Sequence, residues 1–422
     1  MPEIKPFRGI LYNPKKVELA DVVAPPYDVI SPQQQQELYD RSPFNIVRLI
    51  LGREENRYSS AARYLEQWRG ENILITDEAT SIYILSQTFE MPDGKQVQRR
   101  GFIVACILED LGKGSIFPHE RTHSKPKEDR FQLFQATNVM FSQIFGLYSD
   151  PKHILDKYLI ISAAPELKVE FEGVMNTLSK LKDPSAIAAI SEFLKSEKIL
   201  VADGHHRYET ALLYRNAQRM KNPNHTGKEA YNFVPMFVTN MSDPGLVVLP
   251  THRLVHSLNR FSQKELLEAL QEYFYIDIQP SADEMIRNLE ARKTESFGLA
   301  MPKEPEFVLL RFNKNSTLKM NDVPDVLGSL DVGILHSLIF KKILHISEDD
   351  QAKKLNLEYE KDAHRAIEMV KAGRTQMAFL MNPTRVEQVR AVAESGLTMP
   401  QKSTFFYPKL LSGLVNYSFV GE

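Results

Sequence analysis

Three short stretches of the chain combine residue types that do chemistry. In the first, Asp203-Gly204-His205-His206-Arg207 follows the apolar run Ile199 to Val201 and precedes Tyr208, Ala211, Leu212 and Arg215 at helical spacing. A glycine at such a junction supplies the φ freedom of a tight turn. The first N–H groups of the helix are unpaired and its dipole adds about half a positive charge, so an anion is favoured there. His205, His206 and Arg207 would add side-chain donors around it, and Asp203 would hold a metal ion or cap the helix. The plainer alternative is an aspartate cap followed by a solvated polar turn.

The second stretch, His119-Glu120-Arg121-Thr122-His123, fits the HExxH pattern of zinc proteases, which needs both histidines on one helical face. Pro118 immediately before it, Pro126 just after it and the run Gly112 to Ser115 argue against the long helix that pattern requires. Read as Pro118-His119-Glu120 by itself, it offers a surface or capping carboxylate. Arg130, on the helix expected to follow, is either a phosphate ligand or a solvated charge. In the third stretch, Met399-Pro400-Gln401-Lys402-Ser403-Thr404, an ammonium and two hydroxyls follow a proline-set turn, a donor cluster for phosphate or carboxylate.

These three stretches carry a resemblance. The run around DGHHR resembles the phosphate motif of the ParB and sulfiredoxin superfamily, and in particular that of its free serine kinases. Pro118-His119-Glu120 resembles the segment whose glutamate is the acid/base of those kinases, and Lys402-Ser403-Thr404 resembles a segment near their end. There the kinases continue with arginine and histidine, where this chain has Phe405 and Phe406. Sulfiredoxin itself is a poor match, because its catalytic cysteine would fall at His205 and Cys106 lies in another element. Along most of its length the chain is similar to the family known as domain of unknown function 1015. The segments that carry this are Ala24 to Ser31, NIVRLIL, FPHERTH, ADGHHRYETA, LPTHRLV and MPQKSTFFYPKLLSGL.

The elements that must position these residues read as α+β. In the first 150 residues, strand-like runs (Asn45 to Leu51, Ser81 to Thr88, Gly101 to Leu108) alternate with a helix from Ser59 to Arg69. Pro151 to Glu197 reads as mostly helical and leads into the strand Lys198 to Ala202. The polar stretch Asn216 to Asn232, with Pro223 and Gly227, reads as a surface loop. A helix is expected from Ser262 to Tyr273. The resulting division is 1–150, an α/β region with the acidic motif; 151–345, a ParB/sulfiredoxin-like region with the phosphate turn; and 346–422, an α/β region with Lys-Ser-Thr. Tyr27 and Asp28, in the rigid Pro-Pro-Tyr-Asp run, are expected to line a substrate pocket, with Asp28 as a helix cap the alternative. His252 and Arg253 join them as substrate-pocket candidates.

Composition narrows the function classes. Lys plus Arg total 52 against 54 for Asp plus Glu, so no global field favours nucleic acid or an anionic membrane, and any phosphate binding is local. Cys106, the one cysteine, lies in an apolar run and reads as core. The first residues lack a signal-peptide apolar region and no stretch approaches the roughly 18 apolar residues of a span, so a cytoplasmic address is the default.

The expectation is a ParB/sulfiredoxin-like core transferring phosphate between a nucleotide, ATP or ADP, and a small hydroxy amino acid. Serine as that acceptor is implied by the resemblance. Glu120, with His119, would act on the hydroxyl, Gly204 to Arg207 would hold the nucleotide phosphates, and Asp203 would hold a bridging Mg²⁺. Lys402, Ser403 and Thr404 would neutralise the transferred group. Two alternatives stand beside it: a phosphoserine phosphatase using the same residues, and a ParB-like nucleotide switch without catalysis. The oligomeric state has no signature in the sequence.

Overall fold

The computed structural model describes residues 1–120, 124–259, 261–314 and 323–421. Two compact units make up the fold: Met1–Pro118, Thr122–Val247 and Pro408–Glu422 form the first, His119–Arg121 and Val248–Tyr407 the second.

The first unit is built on a mixed sheet. Its strands are β1 (Ile4–Lys5), β2 (Ile82–Glu90), β3 (Gln96–Ile107), β4 (Ile116–Phe117), β5 (Ile144–Tyr148), β6 (Leu167–Phe171), β7 (Val174–Leu181), β8 (Ile199–Asp203) and β9 (Phe233–Asn240). They lie in the order β4-β8-β5-β9-β3-β2-β7-β6, with β1 paired to β3. The pairs β4/β8 and β5/β9 are parallel, the others antiparallel. The run from Phe102 to Cys106 is buried throughout, as a strand covered on both faces must be. Helices of the unit include α1 (Arg57–Gly70), α2 (Ser124–Thr137), α3 (Pro184–Ser196) and α4 (His205–Lys221). Asp183 caps α3 by accepting from Ser185 N–H, with Pro184 in its first turn.

Three expected elements are corrected. Asn45 to Leu51 is not a strand: Val47–Ile50 is a helical turn. The Asn45 side chain causes it, accepting from Val47 N–H at 2.9 Å and donating to the carbonyls of Asp21 and Val23, which overrides the β preference of the apolar run. Residues 167–181 form a hairpin rather than helix. Leu167, Val169 and Phe171 are buried while Lys168 and Glu170 are exposed, a strand alternation, and Glu172 and Gly173 both take positive φ, 49° and 77°, as the tight hairpin turn requires. Finally, helix α4 continues through Lys221, so the loop begins after the expected Asn216. Polar residues there lie on an exposed helical end, and Arg219 and Lys221 suit its negative dipole.

In the second unit an antiparallel sheet is formed by β10 (His252–Val255), β11 (Phe274–Ile278), β12 (Ser296–Ala300), β13 (Phe307–Phe312), β14 (Leu357–Glu360) and β15 (Met377–Leu380), in the order β11-β13-β12-β15-β10-β14. Helices α5 (Gln263–Gln271), α6 (Ala282–Arg292) and α7 (Ala363–Lys371) accompany it. Ser262 caps α5 where the sequence places that helix start. Met285 and Leu289 of α6 and Ala366, Ile367 and Val370 of α7 pack on Leu254, Leu309, Ala378 and Leu380 of the sheet. Among the described residues no helix is long and apolar enough to cross a membrane.

Candidate functional site

In the first unit the strand-turn-helix at Asp203 takes the expected form. The β8/β5 ladder shifts register between Val201 and Asp203, a bulge that re-aims the strand end. Gly204 follows with φ +90°, a left-handed conformation that a side chain would strain, and α4 starts at His205. A Cβ on Gly204 would sit 3.0 to 3.2 Å from the Arg207 guanidinium, so glycine serves both the turn and this close approach. Arg207 is folded back and 4% exposed. It donates to Asp203 Oδ2 at 2.8 Å and to the Gln143 carbonyl at 2.6 Å, fixing the turn from beneath. His205 is buried and His206 half-buried.

One further cation pairs with Asp203 and a second feels its charge, and neither stands out in the sequence. Lys409 reaches Asp203 Oδ1 at 2.5 Å. Arg99 of β3 is fully buried against the rings of Phe145 and Phe237, at 4.6 and 5.7 Å, and donates to Gln87 Oε1 and to the Pro408 carbonyl. Burial brings the Arg99 pKa down to about 9, with Asp243 and Asp203 acting in the opposite sense. Arg99 has no local signal, because it sits in the polar run Gln96 to Arg100 that reads as solvated strand. Lys409 reads as an ordinary lysine beside a proline.

The Pro-Pro-Tyr-Asp run forms a turn, Val29 N–H donating to the Pro26 carbonyl at 3.1 Å. Tyr27 lies against the Arg130 guanidinium, 4.1 Å from its centre, and burial raises the phenol pKa. Arg130 is buried, donating to the Ile50 carbonyl and to Asp129. Asp28 is exposed, and the cap of the helix that follows is Ser31, accepting from Gln34 N–H.

The second unit holds the acidic motif and the Lys-Ser-Thr turn together. Met399 N–H donates to the His119 carbonyl at 2.8 Å and Glu120 bridges to Met399. Glu120 Oε1 accepts from both the N–H and the hydroxyl of Thr404, each at 3.2 Å, and His119 Nε2 lies 2.9 Å from the same hydroxyl. His119 is fully buried and Glu120 is 17% exposed, so Glu120 is the member of this pair that solvent and ligand can reach. The Ser403 hydroxyl turns inward to the Pro400 carbonyl at 2.5 Å. Lys402 sits at φ +57°, an uncommon conformation for a side-chain residue, and Arg253 donates to its carbonyl at 3.0 Å. Arg253 is buried, and burial lowers its pKa to about 10 while Tyr359 and Glu120 raise it. Buried His252 accepts from Met381 N–H on Nδ1.

Of the sequence candidates, the structure thus groups His119, Glu120, Arg253 and Lys402 to Thr404 in one cluster, and Asp203 to Arg207 in another. Arg121, Thr122 and His123, the rest of the HExxH pattern, lie outside the described residues. Among the described residues no three His, Cys, Asp or Glu side chains converge as a metal ion would need.

The class these units define is a mixed α/β protein with a cation-rich strand-turn-helix. A family model described as protein of unknown function (DUF1015) matches residues 4–333, and the chain belongs to that family. No curated protein matches the chain. Solved structures similar to it include a conserved hypothetical protein from Pyrococcus furiosus, 14% identical over 70% of this chain and 90% of that one, with a TM-score of 0.35. A free serine kinase in complex with ADP is 12% identical over 71% of this chain and 88% of its own, with a TM-score of 0.36. SbnI with a C-terminal truncation, from Staphylococcus aureus, is 11% identical over 71% and 83%, with a TM-score of 0.35.

Proposed function

We propose that the protein is a nucleotide-dependent phosphotransferase that moves a phosphoryl group between ATP or ADP and a small hydroxy amino acid, serine by the motif resemblance. The observation that carries this reading is the pairing of both Arg207 and Lys409 with one carboxylate, Asp203, where a left-handed glycine opens a 17-residue helix. Two cations on one partly exposed carboxylate leave local positive charge that an anion would offset. Helix N–H groups add further donors for phosphate.

On this reading β8, the turn and α4 are the ParB/sulfiredoxin-like element. The backbone of Gly204 to His206 and the two imidazoles hold the nucleotide phosphates, and Arg207 keeps the turn in shape. Glu120 accepts the proton of the serine hydroxyl as its oxygen bonds to phosphorus and the bond to the nucleotide's leaving oxygen breaks. Thr404 and His119 hold the Glu120 carboxylate in one orientation, Lys402 offsets the charge of the transferred group, and Arg253 fixes the Lys402 carbonyl. Tyr27 and Asp28 are assigned to substrate, and His252 supports Arg253. The two oxygens of Asp203 face Lys409 and Arg207, a donor set that does not fit a resident Mg²⁺. The metal is therefore assigned to the nucleotide phosphates, where it offsets charge, and no step depends on a protein ligand to it.

Glu120→Gln tests the assignment, since the amide oxygen still accepts from Thr404 but takes no proton. Turnover of serine should fall by roughly 10² to 10⁴ while ADP affinity and melting temperature stay near wild type. Equal losses of affinity and rate would assign Glu120 to binding instead.

A further inference from the structure

We propose that Lys409 is an anion ligand of the Asp203 turn, held on Asp203 in the empty protein and passed to a phosphate oxygen when a di- or triphosphate binds. This rests on reading that turn as the phosphate site.

The three cations at Asp203 differ in what they are able to do. Arg99 is fully buried against two aromatic rings, and its guanidinium donates to Gln87 and the Pro408 carbonyl. Arg207 is pinned on both sides, to the Gln143 carbonyl and to Asp203. Lys409 is different: its side chain is 18% exposed and Asp203's is 24% exposed, so the ion pair is open to a solute. An ammonium on a four-carbon stem also re-aims without backbone motion.

The backbone beneath Lys409 is fixed. Arg99 holds the Pro408 carbonyl, Gln87 Nε2 donates to the Lys409 carbonyl at 3.4 Å, Ala24 and Ser412 exchange hydrogen bonds, and Leu410 and Leu411 are buried. When the ammonium leaves Asp203, that carboxylate keeps its 2.8 Å ion pair with Arg207, so no bare buried charge results. Lys409 therefore moves from one anion to another at small cost, and Asp203 acts as its holder and, without a ligand, as the anion's competitor.

Calorimetric titration with inorganic pyrophosphate and with ADP, both in EDTA, tests this on wild type, Lys409→Met, Asp203→Asn and the double variant. Lys409→Met should bind both ligands about tenfold or more weakly. Asp203→Asn should bind at least as tightly as wild type, and the double variant should stay about tenfold weaker than Asp203→Asn. The double variant carries no unpaired carboxylate, so it reports on Lys409 even where Lys409→Met folds poorly. Wild-type affinity in Lys409→Met overturns the proposal, and so does recovery of wild-type affinity in the double variant, which would mean that Lys409 only neutralises Asp203. Wild-type protein binding neither ligand removes the phosphate site and this inference together. Lysine-dependent binding without phosphoryl transfer leaves the inference standing and removes the kinase reading.

Discussion

Single residues at the turn have double duties, and Gly204 shows it most directly. It takes φ +90° and it leaves space that a Cβ would contest with the Arg207 guanidinium at 3.0 to 3.2 Å. Gly204→Ala should therefore lower stability by about 1 to 2 kcal/mol through the left-handed backbone and also weaken pyrophosphate binding through the displaced guanidinium. Thermal melts and calorimetry on one preparation check both, and an unchanged melt with unchanged affinity would contradict this account of the turn. The glycine, the flanking histidines and the acid were legible because the turn is local: five consecutive residues carry its chemistry. Arg99 and Lys409 were not, because their surroundings arise from long-range contacts: Arg99 with the Pro408 carbonyl and Lys409 with Asp203.

At the scale of elements, period and punctuation were the reliable signals. Helix α1, strands β2 and β3 and the β8-α4 junction stand where apolar spacing puts them, and Ser262 starts α5 by its hydroxyl. The alternation Leu167-Val169-Phe171 with its Glu-Gly turn is also present in the sequence, but the stronger helical spacing at 187–194 dominates a reading of the whole stretch. Asn45 is a different case, since a buried carboxamide bonding to Asp21 and Val23 is a tertiary effect that no local window contains.

Elements of the second unit also set a pH dependence. His252 on β10 is brought down to about 4, and His336, in the helix Leu335–Ile343, to about 3, in both cases by burial first and the Arg253 charge second. Their folded pKa values lie below the unfolded value of about 6.5, so the stability they support is full above that pH and declines as pH falls. Asp331 acts oppositely: burial raises it to about 7, so the folded chain keeps a proton that the unfolded chain loses above about 3.9. Between about pH 6 and 4.5 the unfolded chain thus holds two protons on these groups and the folded chain one, and stability falls by about 1.4 kcal/mol per pH unit on acidification. His336 Nδ1 lies 2.6 Å from Gln351 Oε1, a donation that His336→Asn retains without the titrating ring. Denaturant melts of that variant should show a slope smaller than wild type by about 1.4 kcal/mol per pH unit over this range, and a slope equal to wild type would rule the assignment out.

Over the whole molecule, balanced charge leaves any phosphate binding to a local site, and the family is shown by a match over residues 4–333. The return of Pro408–Glu422 to the first unit has no signature in hydropathy or charge, yet it brings Lys409 to Asp203. Phosphoryl transfer to serine is read by phosphorus NMR of purified protein with free serine and ATP or ADP. A phosphoserine resonance should grow at the rate at which ATP becomes ADP, or ADP becomes AMP, and be lost in Glu120→Gln. Nucleotide left unchanged in the presence of serine, or phosphoserine hydrolysed without any nucleotide, would contradict that transfer.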